Sequence, residues 1–224
     1  MKTRVLLFCL LLPALAPRAD AGEDLGFRFV PSPSDPTRGR CVDASGLTGL
    51  NPGLRGPCPD LRGANIGEQN LSELDLRGGA FYQASAPESE FRGAGLVSAD
   101  FRRAALNGAG FERCDARGAD FGEAVLQHAR LAGANLQNAR FARTDLSGAD
   151  LSTASAVGAD FTGATLRGAK LEGADLKGAV LETAELSDAA LKGARFDGKT
   201  TLPFDRKTAE KRGMKYEDSP PGLD

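Results

Sequence analysis

The sequence predicts an all-β solenoid, a chain that bends once every five residues and stacks coil upon coil. Three observations carry this. Counting from Leu61 in steps of five reaches Phe196 through 28 positions without insertion or deletion, and 25 of these are Leu, Phe or Ile, the exceptions being Ala86, Ala116 and Ala156. Alanine stands two residues before this position at 21 of the 28 places. Phe81, Phe101, Phe121, Phe141 and Phe161 are spaced by 20, and Phe91 and Phe111 repeat that spacing with an offset of ten.

A period of five excludes both regular structures. In an α-helix five residues advance by about 140° net, so the Leu and Phe positions would spiral and leave no face to bury. In a straight strand an odd period throws successive residues onto opposite faces. A bend once per repeat resolves the conflict. In Ala134-Asn135-Leu136-Gln137-Asn138 the Ala and Leu share a face, and the other three residues point outward. Coils of this kind stack through strand-type hydrogen bonds about 4.8 Å apart. The 20-residue spacing of Phe places four repeats in each coil and stacks the rings in columns on two opposing faces, where ring–ring contact adds to burial.

Residues 1–21 read as a secretory signal peptide. Lys2 and Arg4 form a basic start, Val5 to Ala16 is an apolar run, and Ala19-Asp20-Ala21 is a cleavage site that leaves Gly22 as the mature N-terminus. The run is too short to span a bilayer, and no later stretch is apolar enough. Residues 22–40, with Pro31, Pro33 and Pro36, read as a flexible or extended leader. Residues 41–59 hold Cys41 and Cys58 around a turn-rich loop. In an exported chain such a pair suggests a disulfide, worth about 3 kcal/mol in the chain-entropy model. It would brace an N-terminal cap over the open edge of the first coil. Two free thiols are the other reading.

Residues 60–198 are the solenoid. Gln69, Leu74, Gly79 and Ser89 replace the usual Ala in the early repeats, so the first coils are expected to be looser; Thr144 is the one later departure after Ala119. Ala86, Ala116 and Ala156 shorten a central side chain and threaten voids unless neighbours fill them. Cys114 falls at an Ala position and reads as a small buried residue. Residues 199–216 form a C-terminal cap, in which Asp205 is a helix N-cap and Gly213 a stop, with Phe204, Ala209 and Met214 laid over the last coil. Residues 217–224, with Pro220-Pro221, read as a disordered tail.

The stretches Ala174-Asp175-Leu176-Lys177-Gly178, Ala134-Asn135-Leu136-Gln137-Asn138 and Ala159-Asp160-Phe161-Thr162-Gly163 resemble the pentapeptide-repeat family. Its pattern is a small residue, Asn or Asp, Leu or Phe, then two variable residues. The resemblance covers 28 consecutive repeats and implies a right-handed quadrilateral β-helix with four repeats per coil. That makes about seven coils and about 34 Å of solenoid at the strand spacing. Members of the family dimerise through their C-terminal ends, so a homodimer through the solenoid end is one state the resemblance allows.

The chemistry of a catalyst is missing from the pattern. The single histidine, His128, lies two residues after Leu126 on the outward face and has no partners at zinc or protease spacings. The Gly93/Gly95 and Gly108/Gly110 pairs do not open a helix after a strand, so they are not phosphate loops. The Asp residues before the central position are suited to accept hydrogen bonds from turn amides. No cofactor or metal site is expected, and no enzymatic activity.

Some pentapeptide-repeat proteins are DNA mimics that bind type II topoisomerases, which requires a strongly acidic rod. From Asp60 to Gly198 there are 20 Asp and Glu against 15 Lys and Arg, with the signs interleaved. The long-range field is correspondingly weak, and a basic face for nucleic acid is equally absent. The expected function is therefore an exported, non-catalytic scaffold that binds a protein or envelope component through one flat face, with the topoisomerase mimic as the alternative. The most distinctive patch by the 20-residue count is Arg102, Arg103, Arg140 and Arg143.

Overall fold

The computed structural model describes residues 60–218 in full, and the backbone of two strands upstream of them. Those strands, β1 (Arg28–Ser32) and β2 (Asp35–Val42), pair antiparallel, with Phe29 opposite Cys41 and a register shift at Pro31/Ser32. Within the flexible or extended leader expected over residues 22–40, Arg28–Ser32 and the start of Asp35–Val42 are extended and paired, and β2 runs across the boundary expected at residue 41. The Phe29-Val30 pair favours extended backbone.

From Asp60 onward the chain closes a coil every 20 residues. Parallel bridges join Asp60 to Ala80, Asn65 to Ser85, Asn70 to Glu90 and Asp75 to Gly95, and these four ladders continue as far as Asp175–Arg195 and Val180–Thr201. Four ladders make four sides, each holding one five-residue repeat. The Leu61 N–H donates to the Ala80 carbonyl at 2.7 Å, and the Ser85 N–H donates back to the Ala64 carbonyl at 2.8 Å. Every coil is thereby stitched to the next in both directions.

The bend is a tight turn after each central residue. The Ala64 N–H closes onto the Leu61 carbonyl at 3.0 Å, with Gly63 at φ 61°. Positive φ at the third turn residue is what a type II turn requires. The same backbone recurs every fifth residue from Gly63 to Gly193, whether or not the residue is Gly, with Thr183 alone departing among them. A β-branched residue is poorly suited to this conformation, and of the two at this position Thr153 adopts it, at φ 57°, while Thr183 does not. At Thr183 the turn stays closed, the Ala184 N–H donating to the Leu181 carbonyl at 2.9 Å, and the Thr183 hydroxyl oxygen accepts the Gly163 N–H at 2.9 Å.

The interior is filled from all four sides. Phe81, Phe101, Phe121, Phe141 and Phe161 stack face to face, with centroids 4.4 to 5.0 Å apart. Phe91 and Phe111 form a second stack at 4.8 Å. The two columns meet edge to face at 5.6 to 5.8 Å. Two of the short central residues now have a reason. The coil with Phe81 and Phe91 holds Ala86, and the coil with Phe101 and Phe111 holds Ala116. A coil with two opposed rings has its room taken, so a third corner must be small. Ala156 shares its coil with only Phe141 and has no such compensation.

Polar residues at Ala positions are tied inward. The Ser89 hydroxyl donates to the Ile66 carbonyl at 2.6 Å and the Thr144 hydroxyl to the Phe121 carbonyl at 2.7 Å. In the first coil Ala64, Gln69 and Leu74 are only half-buried, whereas the same row is closed from Gly79 onward.

The register slips once. Val180 pairs with Thr201, one residue beyond the regular spacing. The inserted residue is absorbed around Asp197, whose carboxylate accepts the Gly178, Lys199 and Thr200 amides at 2.9 to 3.0 Å. Beyond it, helix α1 (Arg206–Lys211) starts at Asp205, whose side chain accepts the Thr208 N–H at 2.7 Å. Ala209 and Met214 are buried and Phe204 half-buried against the last coil, and Gly213 turns the chain at φ 84°. The ladder then resumes: β4 (Lys215–Tyr216) pairs parallel with β3 (Arg195–Phe196). Order runs past the expected start of the tail at residue 217, because the Glu217 N–H donates to the Phe196 carbonyl at 2.8 Å.

Candidate functional site

With the interior filled, what the solenoid offers a partner is its outside. Each side presents three outward columns, namely the bridging residue and the two turn residues. Asp and Asn in the bridging column brace the turns: Asp120 accepts the Gly122 N–H at 2.9 Å and Asp160 the Thr162 N–H at 2.9 Å. Where Asp precedes and Arg follows the central residue, the two form a bidentate pair across it. This holds for Asp60–Arg62, Asp75–Arg77, Asp100–Arg102 and Asp115–Arg117.

Arg102, Arg103, Arg140 and Arg143 do fall on one side, the one built on the Phe81–Phe161 column. They do not form a free cationic patch. Arg102 is bound by Asp100 at 2.7 Å, Arg103 by Glu123 at 2.9 Å, and Arg140 lies 3.8 Å from Asp120. Arg103 also donates to the Tyr82 hydroxyl at 3.2 Å, and Arg102 sits 5.7 Å from the centre of that ring. Burial alone would raise the Asp100 carboxyl; the Arg102 hydrogen bonds and charge outweigh it and hold the group below the usual carboxylate range. Only Arg143 of the four lacks a partner among the described residues.

The remaining candidates are placed as follows. Cys114 is buried in the core, and burial with the nearby Asp115 pushes its thiol up to about 12, which removes it as a nucleophile near neutral pH. His128 is exposed, with its ring over Gly148. Cys41 lies on β2, and Cys58 lies outside the described residues, so the disulfide expected between them does too. No cluster of metal-ligating side chains occurs among the described residues, and none of their helices is long and apolar enough to cross a membrane.

Two features were not seen in the sequence. Arg130 binds Glu90 at 2.5 Å, Glu112 at 2.8 Å and the Gly108 carbonyl at 2.8 Å, spanning three coils of one side. The other is an uneven distribution of charge. The side that follows the Ile66 and Leu106 positions carries Glu68, Glu88, Asp145, Glu185 and Asp188 against Arg167 alone. The other three sides balance to within one charge. Sorting the charges by a period of 20 rather than five would have exposed it.

Four-sided parallel stacking of five-residue repeats defines the class of protein, a quadrilateral β-helix. The chain belongs to the pentapeptide repeat family: the family described as pentapeptide repeats matches in eight copies, over residues 88–122, 119–163 and 159–198. Membership implies a right-handed helix. Among solved structures, HetL of the cyanobacterium Nostoc sp. strain PCC 7120, a pentapeptide repeat protein involved in heterocyst differentiation regulation, is 30% identical over 64% of this chain and 76% of that one, with a TM-score of 0.36. A trypsin-treated form of QnrB1, a plasmid-mediated fluoroquinolone resistance protein, is 25% identical over 70% of this chain and 82% of that one, with a TM-score of 0.50. A pentapeptide repeat protein of the Arabidopsis thaliana thylakoid lumen is 31% identical over 49% of this chain and 70% of that one, with a TM-score of 0.37. No curated protein matches the sequence.

Proposed function

We propose that the protein is an exported, non-catalytic scaffold of about seven coils, capped at both ends, that binds a protein or envelope partner through one flat side. The observation that carries this reading is the filled interior. Stacked Phe, Leu and Ala side chains occupy the coil axis, so recognition is left to the outer sides and ends. These present rows of side chains at the regular strand spacing. Residues 1–21 supply the export signal in this reading, and the Cys41–Cys58 disulfide braces the entry to the first coil.

The test begins with the full-length protein in the cells that make it. Fractionation and N-terminal sequencing should find it outside the cytoplasm and starting at Gly22. A photo-crosslinking residue placed in turn on each side should then trap one partner from one side only. An intact Met1 in the cytoplasm, or no side-specific adduct, would defeat the proposal.

A second reading rests on the likeness to QnrB1, a fluoroquinolone resistance protein: a DNA mimic acting on a type II topoisomerase. The near-balance of charge on three of the four sides weighs against it. Inhibition of supercoiling by the protein beginning at Gly22 would support it over the scaffold.

A further inference from the structure

We propose that the docking surface is the side running from Glu68 to Asp188, and that its occupant is an extended, lysine- or arginine-rich segment of a partner protein. The inference rests on the scaffold reading and names the face and the chemistry it would use.

The first observation is apolar. Val125 and Val180 are the exposed large hydrophobics among the described residues, and Val125 is 36% exposed. It lies midway along this side, in a bridging column that reads Ser85, Ala105, Val125 on successive coils. That strip carries no charge. At the far end of the same side a cleft of about 450 Å³ opens between Leu186, Asp188, Pro203, Phe204 and Arg212. An uncharged centre with a charged rim is the anatomy of a protein interface.

The second observation is the charge around that strip. Glu68 and Glu88 occupy the same turn position on adjacent coils and have no ion-pair partner among the described residues; Asp188, on the lip of the cleft beside Arg212, makes no salt bridge within 4 Å there and feels Arg167 only at longer range. Asp145 is held by hydrogen bonds from Ser147 and Gln127, with the His128 ring the nearby group of positive charge, and makes no ion pair with Lys or Arg among the described residues. Here most of the acids keep a charge that a partner can answer, whereas on the Arg102 side the charges are largely spent on one another. From the Glu68 rung to the Asp188 rung is six coil spacings, about 29 Å, a span suited to an extended chain of roughly nine residues.

The probe is a fluorescein-labelled peptide alternating lysine and valine, titrated with the full-length chain at low salt and followed by anisotropy. Neutralising this side (Glu68→Gln with Glu88→Gln and Asp188→Asn) should weaken binding at least tenfold, and Val125→Asn about threefold. The same number of acids removed from the Arg102 side (Glu123→Gln with Asp160→Asn and Glu182→Gln) should change it less than twofold. Amide exchange of the wild-type chain with the peptide should protect the Ser85, Ala105 and Val125 rungs, which tests the face without any variant. Equal loss from both triple variants, competition by spermine with no effect of Val125→Asn, or no binding at all would overturn the assignment. A partner crosslinked from another side would leave the scaffold reading standing and this face refuted.

Discussion

The guanidinium of Arg130 lies 2.5 Å from a carboxylate oxygen of Glu90, two coils below it in the stack. It can do so because Gly110, between them, has no side chain. A Cβ there would sit 2.2 Å from Glu90 Oε2 and 2.7 Å from Arg130 Nη2. Arg130→Met should destabilise by about 1 kcal/mol, since the pairs are partly solvated. Gly110→Ala should displace the same side chains and lose the same contacts. The double variant should therefore cost clearly less than the sum of the singles, as read by urea unfolding. Full additivity would mean that Gly110 has a separate role.

The three short core residues should respond differently to enlargement. Ala86→Leu and Ala116→Leu push into coils that already hold two opposed Phe rings, and each should cost about 1–3 kcal/mol through overpacking. Ala156→Leu enters a coil with one Phe and should be neutral or stabilising. Thermal melts of the three variants check the order.

The turn column makes a prediction of opposite sign at two neighbouring positions. Thr153 is β-branched and held at φ 57°, while Gly158 at φ 66° lies under the Asn138 carboxamide. Thr153→Gly should stabilise by about 0.5–1 kcal/mol, less than the full left-handed penalty because Gly loses more entropy on folding. Gly158→Ala should destabilise by about 1–2 kcal/mol. Chemical denaturation of both variants measures the difference.

Arg212 finishes the stack in place of another coil. Its guanidinium donates to the Leu186 carbonyl at 2.8 Å and the Ala189 carbonyl at 3.1 Å, and lies 5.0 Å from the centre of the Phe204 ring. Arg212→Ala should cost about 1–2 kcal/mol by leaving the Ala189 carbonyl without its donor, the Leu186 carbonyl keeping the Ala189 N–H at 3.3 Å. The loss should appear first as faster amide exchange in the last coil, with the central coils unchanged.

Acid should weaken the solenoid in a definable window. Asp60, Asp75, Asp100 and Asp145 are all held below the ordinary carboxylate range, the net result of hydrogen bonds and nearby cations against burial. A depressed folded value means that stability is fully present above the unfolded value near pH 4 and is lost as pH falls through the lower folded values. Melting temperature should thus stay level from neutral pH to about pH 4.5 and drop below it, with a smaller drop in Asp100→Asn.

Export is the remaining point of test. If the chain crosses into an oxidising compartment, thiol labelling after denaturation without reductant should modify Cys114 and leave Cys41 and Cys58 protected. Labelling of all three would remove the disulfide and weaken the export reading with it.

The period of five determined the interior by itself. Any single repeat shows which two residues face in, because that choice depends only on local spacing and on the cost of burying polar groups. The 20-residue spacing of Phe added the number of sides, and Asp205 and Gly213 marked the helix that ends the stack. The outer surface was decided elsewhere. Whether Arg102 is available or bound depends on Asp100 two residues away, but Arg130 is bound by Glu90 forty residues away, and Arg103 by Glu123 on the next coil. Such neighbours are set by side-chain reach across coils, which a repeat pattern does not encode. The same holds for the one-residue slip at Val180–Thr201, and for the side on which unpaired acids surround Val125. Burial is a property of the repeat; recognition belongs to the stack, because only stacking brings distant residues within hydrogen-bonding range.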